Sequence, residues 1–252
     1  MTLTNKLSFI IPVRVDCPAR MDNLRTVLYI LETTGCRIFI IEADSEPRLQ
    51  NMEWMRDIEY EFIGDTNPLF RRTMYINKLL SKVETEMVGV WDADVLVKTE
   101  QIAETIQLIE RGCTISYPYN GEFVMLDENM SKRIRKNTDL DWLDRHNLPT
   151  FRGRRSCGGA FIVDRKRYLI CGAENEHYKG WGLEDEERRH RVEIMGYETK
   201  WISTGKLYHL YHPIGNNSQF WSEETALQMR QEFVKECCFD KNEMEYYIRK
   251  NN

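Results

Sequence analysis

LSFIIPV, at residues 7–13, is a compact apolar run of the right length for one buried strand. Helical spacing follows it at residues 20–35, RMDNLRTVLYILETTG, where Gly35 suits a helix C-cap. A second stretch with helical spacing, RRTMYINKLLSKV, occupies residues 71–83. Three more apolar runs predict strands, at residues 37–43, 60–64 and 86–94. Strands and helices therefore alternate through the first half of the chain.

This alternation predicts an α/β fold with a central, mostly parallel sheet that is flanked by helices. In open sheets of this kind, ligands bind beyond the carboxyl ends of the strands. Arg14 follows the first predicted strand, and Asp92 and Asp94 close the run at 86–94. We therefore expect the functional site at this edge of the sheet.

The composition is that of an ordinary globular protein, with 252 residues of which 42% are hydrophobic and 30% charged. We expect one large domain at residues 1–220 and, from the helical spacing beyond it, a C-terminal helical tail at 221–252 that packs on it. The net charge of −5 gives no general attraction to nucleic acid, so nucleic acid is not expected as a partner.

Two further features bear on the cellular location. The apolar run near the N-terminus is too short to span a bilayer or to form a convincing signal-peptide core, so we expect the protein in the cytoplasm. The seven cysteines are scattered and form no CxxC pair, which argues against a disulfide framework and a cysteine zinc site. We expect free thiols that are mostly buried.

Two pairs of side chains are candidate metal ligands. Asp92 and Asp94 point to one side if the strand continues, or converge if the chain turns there, and a solvated turn is the competing interpretation. His209 and His212 reach one ion only if the backbone between them turns, because an extended strand would point them to opposite sides. Taken together, the two pairs favour a mixed carboxylate and imidazole site.

Other residues suit an anionic ligand. Arg14 lies past the first strand, and Arg71 and Arg72 lie at a predicted helix start, where a phosphate would also meet free backbone N–H groups. Gly158 and Gly159 precede an apolar run and permit a close approach of the backbone to a ligand. Surface charge for the arginines and tight turns for the glycines are the alternatives.

The segment GWGLEDEERRH, at residues 180–190, places a tryptophan between two glycines and follows it with four acidic residues, Glu184 to Glu187. Carboxylates in a first helical turn favour the positive end of the helix dipole. That interpretation explains the acidic run but not the tryptophan.

In their order along the chain, six segments resemble the motifs of metal-dependent inverting glycosyltransferases with the GT-A fold: IIPVR, FRRTMYINK, WDAD, CGGAFIVD, GWGLEDEE and HLYH. The likeness is to the β-1,4-galactosyltransferases and to related bacterial polysaccharide-synthesising transferases, and it spans about residues 7–215. It implies transfer of a hexose or N-acetylhexosamine from a UDP-sugar, with UDP-galactose or UDP-GalNAc as the expected donor.

The resemblance implies a role for each matching residue. Contacts to the nucleotide sugar are implied for Pro12, Arg14, Phe70, Arg72, Asp92, Gly158 and Gly159. Metal ligation is implied for Asp94, His209 and His212. The galactosyltransferases carry methionine at the first histidine position, so His209 departs from their pattern. Mn²⁺ suits such a site better than Mg²⁺, which is the alternative, and Zn²⁺ would bind it too.

By the same resemblance, Trp181 lies in a flexible loop between donor and acceptor, where an indole face suits the apolar face of a sugar ring. Glu184 and Asp185 would hold the acceptor, with Asp185 as the general base of a single in-line displacement that inverts the anomeric carbon. Glu186 and Glu187 are expected only to start a helix, at a solvated turn.

The acceptor implied is a glycan or a lipid-linked saccharide, which would allow peripheral membrane association. Basic residues between 120 and 156, including FRGRRS at 151–156, suit an anionic acceptor, although a solvated helix face explains them as well.

Two other functions stay open. A nucleotidyltransferase on a related fold usually carries a glycine-rich loop after the first strand, which PVRVDCPAR is not. A non-catalytic binder of sugar nucleotides would not need Asp185.

Overall fold

The computed structural model describes residues 5–151, 155–215 and 221–251. Seven strands form the central sheet: β1 Leu7–Val13, β2 Arg37–Asp44, β3 Glu59–Gly64, β4 Met87–Trp91, β6 Ile115–Tyr117, β8 Ala160–Asp164 and β9 Thr199–Trp201. Their order across the sheet is β3-β2-β1-β4-β8-β6-β9. β8 is antiparallel to β4 and β6, whereas the other neighbouring pairs are parallel. The predicted mostly parallel sheet is confirmed.

A small second sheet contains the residues that directly follow Asp94 and those that lead to His212. Its strands are β5 Val95–Leu96, β7 Phe123–Met125 and β10 Leu207–His209. β10 lies between the other two strands, and its last residue is paired with Val95. This pairing places His209, from the C-terminal third of the chain, opposite Val95, the residue that follows Asp94.

Helices flank the sheets. They are α1 Pro18–Glu32, α2 Arg72–Leu80, α3 Thr99–Glu110, α4 Glu128–Asn137, α5 Leu140–Asp144, α6 Arg165–Ile170, α7 Glu184–Ile194, α8 Glu223–Cys237 and α9 Lys241–Asn251. Every residue of β1 and β4 is buried, as expected for parallel strands that are covered on both faces. A methyl group at Gly89 would lie 2.5 Å from the Phe9 ring, so this glycine makes room for the aromatic side chain in the core.

The strand predicted at 86–94 ends earlier, at Trp91. The Asp92 N–H donates to the Gly159 carbonyl over 2.8 Å, and the chain turns before β5 begins. The chain therefore turns at Asp92 and Asp94 and does not continue there as a strand.

The predicted helical spacing of the C-terminal tail corresponds to two helices, α8 and α9. Between α8 and α9, the Glu243 N–H donates to the Asp240 carboxylate over 2.9 Å, and the Asp240 N–H donates to the Glu243 carboxylate over 2.8 Å. This reciprocal cap starts a new helix, and both helices pack against α7. The division of the chain at residue 220 stays a prediction.

Three smaller expectations can be compared with the described residues. Arg152 and Arg154 of the FRGRRS segment lie outside them. None of the seven cysteines, all of which lie within the described ranges, forms a disulfide, and four are buried. No helix in the described part of the chain has the length and apolar character needed to cross a membrane.

Candidate active site

Asp94, His209 and His212 form a compact group at the carboxyl edge of the sheet. His209 Nε2 lies 3.4 Å from one Asp94 carboxylate oxygen, and His212 Nε2 lies 3.3 Å from the other. One candidate ligand atom from each residue lies within 4.8 Å of the other two. Residues 5–151, 155–215 and 221–251 contain no other such group of three His, Cys, Asp or Glu side chains.

The two histidines reach the same carboxylate because the backbone bends after β10. The Tyr211 N–H donates to the Ser131 hydroxyl over 2.8 Å. The Tyr211 carbonyl accepts from Asn23 over 3.2 Å and from Arg135 over 2.8 Å. Side chains of α1 and α4 therefore hold the bend just before His212. The turn that the sequence left open is present, and it is stabilised by contacts that the spacing of the histidines does not reveal.

Burial and charge set the protonation of this group. Burial lowers the pKa of His209, so its imidazole is neutral. Burial also opposes the protonation of His212, but Asp94 raises the pKa of that imidazole above its usual value. Burial favours a neutral Asp94, yet the neighbouring imidazoles and Arg20 hold the pKa of this carboxyl below its usual range. A carboxylate and a neutral imidazole are the forms that bind metal ions.

Arg20 belongs to the same group, although no motif in the sequence marks it as a site residue. Its guanidinium donates to Asp94 over 2.8 Å and to Asp16 over 3.0 Å. It also approaches the His212 ring to 3.4 Å. A positive charge therefore lies beside the candidate metal ligands. The only sequence signal was an arginine in PVRVDCPAR that follows the first strand.

A second group connects Arg72, Asp92 and Asp185. Arg72 donates twice to one oxygen of Asp92, over 2.9 and 2.7 Å. The Arg72 Nη1 lies 3.8 Å from Asp185 Oδ1 and is buried without a hydrogen-bond partner. Burial raises the pKa of Asp92 to about 6, an effect that Arg72 opposes and the two neighbouring aspartates reinforce. The two aspartates of WDAD thus have different partners.

Glu184 and Asp185 lie in the first turn of α7 but differ in exposure. The Asp185 side chain is 27% exposed, whereas Glu184 is 6% exposed and one of its carboxyl oxygens has no hydrogen-bond partner. Burial, followed by the charge of Asp185, raises the pKa of Glu184 to about 8. At pH 7 Glu184 is mostly protonated and can donate a hydrogen bond.

Gly158 and Gly159 precede β8, as predicted, and each fits a crowded position. A Cβ at Gly158 would lie 2.4 Å from Asp185 Oδ2, so the space above this glycine holds the Asp185 carboxylate. Gly159 has a φ of +83°, which favours glycine. We expected Gly158 to allow a close approach of the backbone to a ligand. In the structure, the group that lies close to Gly158 is the carboxylate of Asp185, a catalytic candidate.

The GWG segment lies in a loop that approaches the segment containing Leu69. Gly180 has a φ of +77°, and a Cβ there would lie 2.5 Å from the Leu69 side chain. Trp181 follows at intermediate exposure. The loop therefore lies next to the segment that leads into α2 and Arg72.

Arg14 and Phe70 lie together in a third group. Arg14 pairs with Asp65 at 2.8 Å, donates to three backbone carbonyls, and places its guanidinium carbon 5.4 Å from the Phe70 ring centroid. Pro12 is a buried residue of β1 that lies past Ile10, where the pairing of β1 with β4 ends. Phe70 thus packs on Arg14, and Arg72 belongs to the group with Asp92.

The prediction that Glu187 lies at a solvated helix turn is wrong. Its side chain is 2% exposed and forms an ion pair with Arg191 at 2.6 Å. Arg191 also donates to the carbonyls of Cys171 and Ala173. A run of acidic residues at a helix start conceals this difference, because the burial of Glu187 depends on the elements that pack against α7, among them α8 and α9.

Comparison with known proteins supports the resemblance stated from the motifs. Residues 145–213 match the family model described as the N-terminal domain of galactosyltransferase. This range includes both glycines before β8, the GWG loop, the acidic start of α7 and the two candidate metal ligands His209 and His212. No curated protein sequence matches the chain.

Two solved structures have similar folds. A structure of GalNAc-T7 with UDP, GalNAc and Mn²⁺ has a TM-score of 0.61 at 13% identity, over 92% of this chain and 48% of that one. A structure of residues 1–349 of S. aureus TarS with UDP-GlcNAc has a TM-score of 0.62 at 13% identity, over 95% of this chain and 69% of that one. The chain spans about half the length of the GalNAc-T7 structure. These likenesses confirm the predicted GT-A fold.

Proposed function

We propose that this protein is a metal-dependent inverting glycosyltransferase that moves a hexose or N-acetylhexosamine from a UDP-sugar to a sugar hydroxyl. UDP-galactose and UDP-GalNAc are the first donors to test. The observation that carries the proposal is the meeting of Asp94, His209 and His212 at the edge where Arg72 and Asp185 also lie. The galactosyltransferase match at 145–213 and the UDP and UDP-sugar complexes of the structural neighbours support it.

The residues present fit a divalent cation. Both imidazole Nε2 atoms face Asp94 at 3.3–3.4 Å, and His209 is neutral because it is buried. Two nitrogen ligands and one carboxylate suit Mn²⁺ or Zn²⁺ better than Mg²⁺, which prefers oxygen ligands. When bound, such an ion supplies positive charge to a departing diphosphate.

The protein's own side chains divide the remaining work. Arg72 has an unpartnered Nη1 beside Asp185, in position to hold a donor phosphate. Glu184, protonated at neutral pH, donates a hydrogen bond to the acceptor. Asp185, the more exposed of the two carboxylates, takes the proton of the attacking hydroxyl. The hydroxyl attacks the face opposite the diphosphate, so the anomeric configuration inverts.

A panel of nucleotide sugars tests this proposal. With Mn²⁺ and simple sugar acceptors, we expect UDP release that a chelator abolishes, and a product of inverted anomeric configuration in NMR spectra. Asp94→Ala is the loss-of-function variant, and Asp57→Ala, at an exposed aspartate, is the matched control. Release of pyrophosphate would indicate a nucleotidyltransferase, and binding without turnover a sugar-nucleotide binder.

The proposal also covers the domain boundaries, the acceptor and the cellular location. Residues 1–220 form the catalytic domain, and the tail at 221–252 packs on it through α7. The acceptor is a glycan or a lipid-linked saccharide, and nucleic acid is not a partner. The protein acts in the cytoplasm and reaches membranes only through its acceptor, which cell fractionation and vesicle co-sedimentation with and without lipid-linked saccharide would test.

A further inference from the structure

Arg188 lies on α7 one helical turn after Asp185, and its side chain has no exposed surface. Its Nε and Nη2 donate to the two carboxylate oxygens of Glu174, over 2.6 and 3.1 Å. The guanidinium carbon lies over the Phe161 ring, 4.1 Å from the ring centroid. The Tyr168 hydroxyl donates to the same Glu174 carboxylate. The guanidinium is therefore fixed on several sides.

One nitrogen of this guanidinium is not used by Glu174. Arg188 Nη1 donates to Asp185 Oδ1 over 3.0 Å. The other oxygen of Asp185 lies over Gly158, at 2.4 Å from the position that a Cβ would occupy there. The carboxylate is thus held by a donor on one oxygen, while the missing side chain of Gly158 leaves room for the other.

A buried ion pair is an uncertain source of stability, because the loss of hydration offsets much of the attraction between the charges. The Glu187–Arg191 pair on the same helix has a visible structural purpose, since Arg191 also binds two backbone carbonyls. Arg188 donates instead to a carboxylate at the candidate active site. This difference points to a purpose beyond core packing.

We propose that Arg188, fixed by Glu174, is a positioning residue that sets the orientation of Asp185 for proton transfer. The inference rests on the proposed function of Asp185 as general base. Arg188 does not touch the substrate; it acts through Asp185. Because small misplacements of a catalytic group cost up to about 10²-fold in rate, loss of this donor lowers turnover and leaves donor binding intact.

The decisive variant is the double substitution Glu174→Met and Arg188→Met. Apolar replacement of both partners avoids an isolated buried charge, so this variant folds where Arg188→Met alone is at risk. We expect a folded variant whose melting temperature is lowered by the loss of the acceptor of the buried Tyr168 hydroxyl, a dissociation constant for UDP with Mn²⁺ within about threefold of the wild-type value, and a kcat that falls about 10- to 100-fold. A folded double variant with kcat near the wild-type value would overturn the proposal.

Coupling to Asp185 separates positioning from general structural support. In an Asp185→Asn background, the same double substitution should change the residual rate by less than about threefold, because the group that Arg188 positions is already disabled. A full additional loss of rate in that background would contradict the inference.

Gly158→Ala provides a second test that leaves the ion pair untouched. Its methyl group would enter the space of Asp185 Oδ2 and should lower kcat in the same way. If neither this variant nor the double variant changes kcat, Arg188 is only a core residue. If the wild type transfers no sugar from any donor, the proposed function itself fails and this inference fails with it.

Discussion

Asp92 and Asp94 show how strongly the surroundings of a residue decide its chemistry. They are separated by one residue, yet burial raises the pKa of Asp92 to about 6, while imidazoles and Arg20 hold the pKa of Asp94 below its usual range. Arg72 is hydrogen-bonded to Asp92, whereas the two histidines face Asp94. Asp94, which lies beside two imidazole groups, is therefore the better candidate for a metal ligand.

The first prediction concerns Asp94 and His212. Asp94→Ala should weaken Mn²⁺ binding by more than about 100-fold, because it removes a ligand and its charge from the same site. His212→Ala should weaken binding severely, and His209→Ala less so, since the galactosyltransferases that the motifs resemble carry methionine at that position. Calorimetry with Mn²⁺ measures all three against Asp57→Ala. Undiminished Mn²⁺ affinity in Asp94→Ala would refute the metal site.

The second prediction is that removing the charge of Arg20 strengthens Mn²⁺ binding. Its charge lies 2.8 Å from a carboxylate oxygen of the candidate site and repels any cation there. Arg20→Met should therefore tighten the binding of Mn²⁺ to the free protein by about tenfold. Arg25→Met, an exposed arginine on the same helix, is the control. Weaker Mn²⁺ binding in Arg20→Met would mean that Arg20 chiefly orients Asp94.

The third prediction separates Asp185 from Glu184. Asp185→Asn keeps the shape of the side chain but removes the proton acceptor, so transfer should fall about 10²- to 10⁴-fold while Mn²⁺ and UDP-sugar still bind. Glu184→Gln should have a mild effect at pH 7, because burial raises the pKa of Glu184 to about 8 and the wild-type group is already neutral. Transfer kinetics beside donor-binding calorimetry measure both. The reverse ranking would move the base to Glu184.

At the scale of elements, α7 carries both catalytic candidates and is held by two buried arginines. Glu187 pairs with Arg191 inside the fold, at 2.6 Å. Removing one partner of a buried pair leaves the other charge uncompensated. We therefore predict that Glu187→Gln lowers the free energy of unfolding by about 3 kcal/mol, measured by urea denaturation. Glu186→Gln, at a less buried neighbouring position, is the control, and an equally small loss in both variants would contradict the prediction.

Local patterns predicted the elements well, because apolar periodicity depends on the chain itself. The run at 7–13 forms β1 with the predicted bounds, and the helix start at Arg72 follows the motif. Of the candidate site, the sequence indicated the residues that follow strand ends and those that lie in the six motifs. Arg20 and Arg188 were missed because their partners lie far from them in sequence or depend on how α7 packs.

At the scale of the whole molecule, the C-terminal helices α8 and α9 pack against α7, and an acidic side chain of α8 is buried. Glu236 of α8 is 2% exposed, and it accepts a hydrogen bond from the Tyr247 hydroxyl over 2.7 Å. Burial, followed by the charge of Glu187, raises the pKa of Glu236 to about 8. The titratable groups that act on it are Glu187, Glu232, Tyr178 and Tyr247.

This arrangement predicts how stability changes with pH. Between the ordinary value of 4.5 and the raised pKa of about 8, the folded protein keeps a proton on Glu236 that the unfolded chain releases. The stabilising protonated form is thus present at low pH, and the free energy of unfolding falls as pH rises toward 8 and then levels off. Glu236→Gln cannot lose that proton, so it should remove about 1–3 kcal/mol of the decline between pH 5 and pH 8.5. Urea denaturation at several pH values measures this slope, with the exposed Glu224→Gln of the same helix as the control. An unchanged slope in Glu236→Gln would mean that the docked helices do not hold Glu236 in its protonated form.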